Sequence, residues 1–189
     1  MFKVAVCGID GAGKTVLVEK LFTYYQTLGV ITNTAKVNFY CKAACKQAEL
    51  EDIKSIVRIG MAFDFVNYYR NYKTDCQLVL CDRFDVCYKV LNRVDALDEK
   101  LINQIDKLYS IIADADLYLY LDLPLNIATK RLDARGDRVG NESDSILKLM
   151  QQYYKSELCK KKRVAVIDAS QSAEAVFENA KNLINELLR

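Results

Sequence analysis

The sequence predicts a three-layer α/β/α fold in which helices cover both faces of a five-stranded parallel sheet. Five short apolar runs alternate with segments whose apolar residues recur at helical spacing. Such alternation is typical of a parallel sheet with crossover helices. The first run also leads through a glycine-rich turn into a helix, and parallel sheets bind ligands beyond the carboxyl ends of their strands.

Short apolar, β-branched runs predict the strands. These runs are Phe2–Cys7, Thr34–Tyr40, Gln77–Cys81, Leu117–Leu121 and Arg163–Ile167. The spacing of apolar residues predicts the helices between and after them. These helices cover Lys14–Gly29, Ala44–Tyr72, Val86–Ile112, Leu125–Ala134, Ser143–Cys159 and Ala173–Leu188.

Length and composition narrow the class of protein. With 189 residues, the chain is expected to form one domain over 1–189 with a substantial core. A net charge of +2 is too small to predict a nucleic acid or a membrane as the main partner. No apolar run approaches the ~20 residues of a membrane span, and we see no signal peptide, so we expect a cytoplasmic protein.

The cysteine and histidine content limits which metal sites and catalytic groups the chain can form. The cysteines number seven and are scattered, which predicts free thiols in a reducing compartment. Cys41 and Cys45 suggest a zinc site, but the sequence has no Cys-x-x-Cys pair and no histidine to complete it. Without histidine, imidazole is excluded as a general base, so any catalysis has to rely on positioning and charge.

The segment "VAVCGIDGAGKTVLVEKL" carries the strongest motif. Gly8, Gly13, Lys14 and Thr15 match G-x-x-x-x-G-K-[ST] between a predicted strand and a predicted helix, as a phosphate-binding loop requires. Glycines let backbone amides approach phosphate oxygens, Lys14 reaches the β- and γ-phosphates, and Thr15 can bind Mg²⁺. An ordinary turn with a solvated lysine is the alternative. The residues assigned to nucleotide binding are Gly8, Asp10, Gly11, Ala12, Gly13, Lys14, Thr15 and Val16, together with Arg131 from a later helix.

Asp82 and Arg83 follow the apolar run "QLVLC" and are expected to emerge beside this loop. Asp82 is then placed to hold Mg²⁺ through water, together with Thr15. Arg83 can hold a phosphoryl group with two parallel hydrogen bonds. A surface ion pair at the end of a strand is the alternative interpretation.

The basic segment "NIATKRLDARGDRVGNE" predicts a lid at about 133–145. Arg131 and Arg135 share one helical face, and Arg138 lies in the loop that follows. Arginines that close over a transferred phosphoryl group neutralise its charge and exclude water. A solvated helix end, favoured by the helix dipole, is the alternative.

Three smaller features concern the substrates. A carboxylate beside phosphates costs electrostatic energy, so Asp10 either points away from them toward an acceptor hydroxyl or is a simple exposed acid of the loop. In "MAFDFVNYYRNY" the rings at 65, 68, 69 and 72 share a helical face, which favours core packing, with one or two rings lining an acceptor pocket beside Arg70. The loop Ser170–Ser172 either touches a purine edge or simply caps the last helix.

Four segments resemble thymidylate kinases in order and spacing: "GIDGAGKT", "VLCDRF", "DLYLYLDLPLNIATKRLDARGDR" and "VIDASQSAEAVFENA". This family belongs to the nucleoside and nucleoside-monophosphate kinases of the P-loop NTPase superfamily. The resemblance implies a P-loop kinase fold, ATP with Mg²⁺ as donor, a lid after Leu132 and a homodimer. It implies that Asp10 meets the acceptor sugar hydroxyl. The residues that it places in phosphoryl transfer are Lys14, Asp82, Arg83, Arg135 and Arg138.

The acceptor side departs from the family pattern. "NFYCKAACK" replaces an Arg-Glu-Pro-Gly stretch after the second strand, and Phe65 stands where a base-pocket arginine is usual. We expect an ATP-dependent kinase of a nucleoside monophosphate, with a thymidylate-like acceptor first and a nucleoside or another small hydroxyl compound as the alternative. A nucleotide-dependent switch is the alternative outside the enzymes, although the sequence has no Asn-Lys-x-Asp guanine signature.

Overall fold

The structure is a computed structural model that describes residues 1–50, 53–72, 75–136 and 143–189. The strands are β1 (Phe2–Cys7), β2 (Thr32–Ala35), β3 (Leu78–Asp82), β4 (Leu117–Asp122) and β5 (Val164–Asp168). The helices are α1 (Lys14–Thr27), α2 (Tyr40–Gln47), α3 (Lys54–Asn71), α4 (Asp85–Val94), α5 (Glu99–Tyr109), α6 (Leu125–Arg135), α7 (Asp144–Leu158) and α8 (Ala173–Leu188). The predicted α/β/α class is confirmed.

The sheet brings the ends of its central strands together. All five strands run parallel in the order β2-β3-β1-β4-β5. Val6 pairs with Asp82 and Cys7 pairs with Tyr120, so β1, β3 and β4 end at one edge. The glycine loop that follows β1 therefore lies beside Asp82, as the alternation of strands and helices predicts.

Helices α1 and α8 pack together as one outer layer. The hydroxyl of Tyr25 on α1 donates to Asn185 on α8 at 2.9 Å. The ring of Tyr24 meets that of Phe177 edge to face at 5.6 Å between centroids. This pairing sets the first and last helices side by side next to the loop.

An aromatic cluster holds α3, α4 and α5 together. The fully buried ring of Phe65 on α3 lies 5.3 Å from Phe84, 5.7 Å from Tyr88 and 5.1 Å from Tyr109, measured between centroids. Burying a ring of this size stabilises the fold by about 2 kcal/mol. The predicted core role of this helical face is confirmed.

The second strand was predicted too long. It spans Thr32–Ala35 instead of Thr34–Tyr40. The chain leaves the sheet after Ala35, yet Val37 is buried and the ring of Phe39 packs against Tyr88 at 5.0 Å. The apolar pattern continues past the strand because these side chains fill the core from a loop and from the start of α2.

The two longest predicted helices are each two helices, because each is interrupted by a turn. Ala44–Tyr72 divides into the end of α2 and α3, and Val86–Ile112 divides into α4 and α5. Glu49 and Ala96 have φ values of 56° and 51°, which a continuous helix cannot contain. Asp98 then caps α5 by accepting a hydrogen bond from the Leu101 amide at 3.1 Å. Apolar spacing does not reveal these breaks, since both halves face the same core.

The described residues add three general findings. None of the seven cysteines, all of which are described, forms a disulfide bond. Within the described ranges, no three His, Cys, Asp or Glu side chains are grouped as a metal site would need. A search of the same ranges finds no helix with the length and apolar character to cross a membrane.

The glycine that joins β1 to the loop is expected to be essential for stability. Gly8 has a φ of 149°, and a Cβ there would lie 2.8 Å from the carbonyl oxygen of Leu121. Gly29 also has a positive φ, 72°, but nothing lies within 4 Å of its Cβ position. We expect Gly8→Ala to lower the free energy of unfolding by about 3 kcal/mol and the control Gly29→Ala by about 1 kcal/mol. Urea unfolding measures both, and equal losses would contradict the steric argument.

Candidate active site

The glycine loop closes around its own lysine. Gly11 and Gly13 have φ values of 84° and 87°, which let the chain turn sharply there. Lys14, the first residue of α1, is 6% exposed and donates to the carbonyl oxygens of Gly8 at 3.0 Å and Ile9 at 2.7 Å. Burial, together with repulsion from Arg83, lowers the pKa of Lys14. The loop therefore holds a cation at the positive end of a helix, where an anion binds well.

Asp82 is held by two donors. Its Oδ2 atom accepts a hydrogen bond from Thr15 Oγ1 at 2.9 Å and another from Lys36 Nζ at 2.8 Å. Burial would raise the pKa of Asp82, but the bonds from Lys36 and Thr15 outweigh burial and lower it. The predicted pair of Thr15 and an ionised Asp82 is thus brought together.

Lys36 is a site residue that sequence reasoning missed. Ala35 pairs with Cys81 across β2 and β3, so Lys36 leaves the sheet directly beside Asp82. The register of two parallel strands was the available signal. The predicted strand through Tyr40 concealed it, because it placed Lys36 inside the sheet.

Arg83 and Asp10 form an ion pair beside the loop. Arg83 Nη2 donates to Asp10 Oδ1, and the same oxygen lies 3.5 Å from Lys14 Nζ. Burial alone would raise the pKa of Asp10, but Arg83 and Lys14 outweigh it and hold the pKa below its usual value. Arg83 has a φ of 74°, a backbone conformation that costs about 1 to 2 kcal/mol outside glycine and persists only where neighbours impose it.

A first cavity, the α1–α8 cavity, has a volume of about 250 Å³ and lies beside the loop. Arg131 reaches its edge and donates to the carbonyl oxygens of Gly11 at 3.3 Å and Ala169 at 3.0 Å. Gln171, from the loop predicted either to touch a purine edge or to cap the last helix, is also in the wall. Ser172 of this loop does cap α8, since its hydroxyl oxygen accepts a hydrogen bond from the Ala175 amide at 3.2 Å. The lining residues are Gly11, Ala12, Gly13, Val16, Leu17, Lys20, Arg131, Ala169, Gln171, Ala173 and Val176.

A second cavity, the α4 cavity, has a volume of about 370 Å³ and includes Asp10 and Arg83 in its wall. Its other charged pair is Arg58 Nε with Asp95 Oδ2, 2.6 Å apart, with side chains only 8% and 7% exposed. Arg83 and Asp95 flank α4, whose 10 residues span about 15 Å. The lining residues are Asp10, Phe39, Lys42, Lys54, Val57, Arg58, Met61, Arg83, Tyr88, Leu91 and Asp95.

The α3 rings predicted to line an acceptor pocket are not in the wall of the α4 cavity. The rings in the wall of the α4 cavity are Phe39 and Tyr88, whereas Phe65 is fully buried in the core and Arg70 is exposed outside the wall. Helix α3 instead presents Val57, Arg58 and Met61. A buried arginine among apolar residues at helical spacing was the signal for this face.

The predicted lid is described only in part. Arg135 is the last residue of α6 and is exposed, and Gly136 follows it with a φ of 80°. Arg138 lies outside the described residues, as do its neighbours in 137–142. A closing role for Arg135 and Arg138 therefore stays a prediction.

Comparison with known proteins identifies similar chains. The family model described as thymidylate kinase matches residues 59–180. A probable thymidylate kinase from Saccharolobus solfataricus is 27% identical over 98% of this chain and 97% of its own length. A thymidylate kinase from Baumannia cicadellinicola is 26% identical over 98% of this chain and 96% of its own. A deoxyadenosine kinase structure from M. mycoides, with dCMP and dCDP bound, has the same fold, with a TM-score of 0.73 at 17% identity, over 98% of this chain and all of that one.

The lowered pKa of Asp10 predicts a pH dependence of stability. Because its folded pKa lies below the unfolded value of about 3.8, the stabilisation is complete above about pH 5 and is lost as the pH falls through the folded pKa. Asp10→Asn should reduce the loss of unfolding free energy at low pH, since asparagine does not titrate. The part of the loss that is due to Asp82, whose pKa is also lowered, should remain.

Urea unfolding at several values between about pH 3 and pH 6 measures the slope. Arg83→Met serves as the matched variant, because it removes the main cation that lowers the pKa of Asp10. An unchanged slope in both variants would contradict the assignment.

Proposed function

Since this chain belongs to the thymidylate kinase family, we propose that it uses ATP to phosphorylate a nucleoside monophosphate, with a thymidylate-like nucleotide as the first candidate. The observation that carries the proposal is the meeting of two cavities at the loop. The α1–α8 cavity contains loop glycines and would take the donor. The α4 cavity contains Asp10 and Arg83 and would take the acceptor. The cations Lys14 and Arg83 then lie between the two substrates.

The residues present fit Mg²⁺ and a triphosphate. Thr15 and Asp82 offer only oxygen ligands, which Mg²⁺ prefers, and they already lie within hydrogen-bond distance of each other. A Cβ at Gly11 would lie 3.2 Å from the Ala128 carbonyl oxygen, so the loop depends on a residue without a side chain there. When bound, Mg²⁺ supplies charge neutralisation and orientation of the phosphates.

In the proposed reaction the loop lysine changes partners. Lys14 leaves the carbonyl oxygens of Gly8 and Ile9 and binds the β- and γ-phosphates. An oxygen of the acceptor phosphate attacks the γ-phosphorus, the bond to the bridging oxygen breaks, and ADP leaves. Because the acceptor phosphate is already ionised, no general base is needed, and Arg83 neutralises the charge that develops.

The lid completes the proposal for a single domain over 1–189. Arg135 and Arg138, in a lid at about 133–145, would close over the transferred group and exclude water. Arg131 would stay on the donor side, where it bonds the loop at Gly11. This division of charge follows from Gly11, which stands where some members of the family carry a catalytic arginine.

The α4 cavity suits a nucleotide whose base lies far from the loop. Its lining includes apolar residues of α3 and α4, the Arg83 side chain with Asp10, and the Arg58–Asp95 pair. A guanidinium next to a carboxylate offers hydrogen-bond donors beside a hydrogen-bond acceptor. A base edge with a carbonyl oxygen beside an N–H, such as that of thymine, offers the complement.

A nucleoside is the second candidate acceptor, and the position of Asp10 favours it. The Asp10 carboxylate lines the α4 cavity next to Arg83. A hydroxyl acceptor has to lose a proton, and a carboxylate within reach can accept it. The loss of the Arg-Glu-Pro-Gly stretch is consistent with such a change of acceptor.

A panel of acceptors tests the proposal. The purified protein, with ATP and Mg²⁺, is assayed for ADP release with nucleoside monophosphates, nucleosides and simple alcohols. We expect the fastest turnover with a pyrimidine deoxynucleoside monophosphate, and Lys14→Ala should lower it by about 100-fold or more. Turnover of nucleosides alone would establish the second candidate. Turnover of none would leave a nucleotide-binding switch.

Two arginines on α3 allow a matched comparison in this assay. Arg58→Gln should raise the KM for the acceptor by about tenfold and leave the KM for ATP unchanged. Arg70→Gln on the same helix, exposed and outside the cavity wall, should leave both unchanged. Equal effects of the two substitutions would contradict a base-binding role for Arg58.

We further propose that the protein is a homodimer, as the resemblance implies, and that it is cytoplasmic, as the composition predicts. Ile56 and Phe63 are 43% and 58% exposed and are seven residues apart on one face of α3. A second copy would remove this face from water. Light scattering should give the mass of a dimer for the native chain and of a monomer for Phe63→Glu. A native monomer would contradict the proposal.

A further inference from the structure

Lys36 binds the same oxygen that Thr15 binds. Both hydrogen bonds end on Asp82 Oδ2, at 2.8 Å from Lys36 Nζ and 2.9 Å from Thr15 Oγ1. The Asp82 side chain is 6% exposed, whereas that of Lys36 is 62% exposed. An ion pair with one partner so far in water contributes little to stability. Lys36 can therefore leave when another cation takes its place, whereas the Asp82 carboxylate stays buried and still needs a partner.

The sheet directs this lysine to the expected metal position. The β2–β3 register places Lys36 opposite Asp82, because Ala35 pairs with Cys81. Lys36 approaches the carboxylate from β2, and Thr15 approaches it from α1. Mg²⁺ held by Thr15 and Asp82, directly or through water, would need the Oδ2 oxygen to which the ammonium is now bonded.

The charges nearby explain why a cation bonded to Asp82 would help a nucleotide to bind. Asp10 is matched by Arg83 and Lys14, and Asp82 is matched by Lys36. A carboxylate without a cation at this edge of the loop would repel the phosphates of an incoming nucleotide. With Lys36 on Oδ2, Asp82 is neutralised before any metal arrives.

We propose that Lys36 is a positioning residue that competes with Mg²⁺ for Asp82. In the metal-free protein its ammonium orients and neutralises the carboxylate, and binding of the metal requires it to leave Oδ2. The competition lowers the benefit that the metal gives to nucleotide binding. This inference rests on the proposed donor site at the loop.

Calorimetry with a non-hydrolysable ATP analogue tests the competition. Its dissociation constant is measured in EDTA and in excess Mg²⁺, and the ratio of the two constants gives the coupling between metal and nucleotide. Lys36→Met should weaken binding in EDTA by about tenfold and leave binding with Mg²⁺ unchanged or tighter, so that the ratio rises by about tenfold or more. Since Lys36 is largely exposed, the variant should keep its fold, which a thermal melt verifies.

Two controls separate this role from a general effect of charge. Lys36→Arg keeps the cation and should retain the native ratio. Lys46→Met removes a positive charge from the exposed surface of α2 and should also retain it. A ratio that is unchanged or smaller in Lys36→Met would overturn the competition while the donor site stands. Failure of the native protein to bind the analogue in either buffer would overturn the proposed function and this inference together.

Discussion

The hydrogen bond from Thr15 to Asp82 ties the first helix to the end of β3, and the rest of the candidate site depends on it. Val6 pairs with Asp82, so the register of β1 and β3 decides that the loop and the carboxylate meet. A slip of one residue would turn the Asp82 side chain to the other face of the sheet. Because this carboxylate is almost buried, it needs donors, and α1 and the end of β2 each supply one.

The need to pair charges that are close together also explains why the glycine loop contains Asp10. Lys14 and Arg83 repel each other across a short distance, and burial further disfavours the charge on Lys14. Asp10 lies between the two cations and bonds Arg83 while remaining 3.5 Å from Lys14. The electrostatic energy of this carboxylate beside phosphates is therefore smaller than the sequence alone suggests. The reason is that Asp10 holds together the two cations that would bind the phosphates.

The glycine loop with Asp82, which we propose as the donor side, could be predicted from the sequence, whereas the α4 cavity, which we propose as the acceptor side, could not. The loop is one continuous segment, and Asp82 follows a neighbouring strand, so a local pattern and parallel topology were sufficient. The α4 cavity takes residues from α3, α4 and the segments next to them, and Arg58 and Asp95 are 37 positions apart. Apolar spacing also continued across two turns, at Glu49 and Ala96, which hid the helix ends that shape this cavity.

The burial of Arg58 and Asp95 bears on the proposed acceptor side, where the sequence departs from the family pattern. Buried ion pairs are weak contributors to stability, because desolvation offsets most of their attraction. Stability alone therefore gives little reason to keep two charges that are each less than one-tenth exposed. Ligand binding is a better reason, because the pair lies in the wall of a cavity. A pair that is already desolvated and oriented costs little further free energy when a polar edge of a ligand binds it. Arg58 on α3 and Asp95 at the end of α4 lie outside the sheet and the glycine loop. This part of the wall can therefore change while the loop that we propose as the donor site is retained.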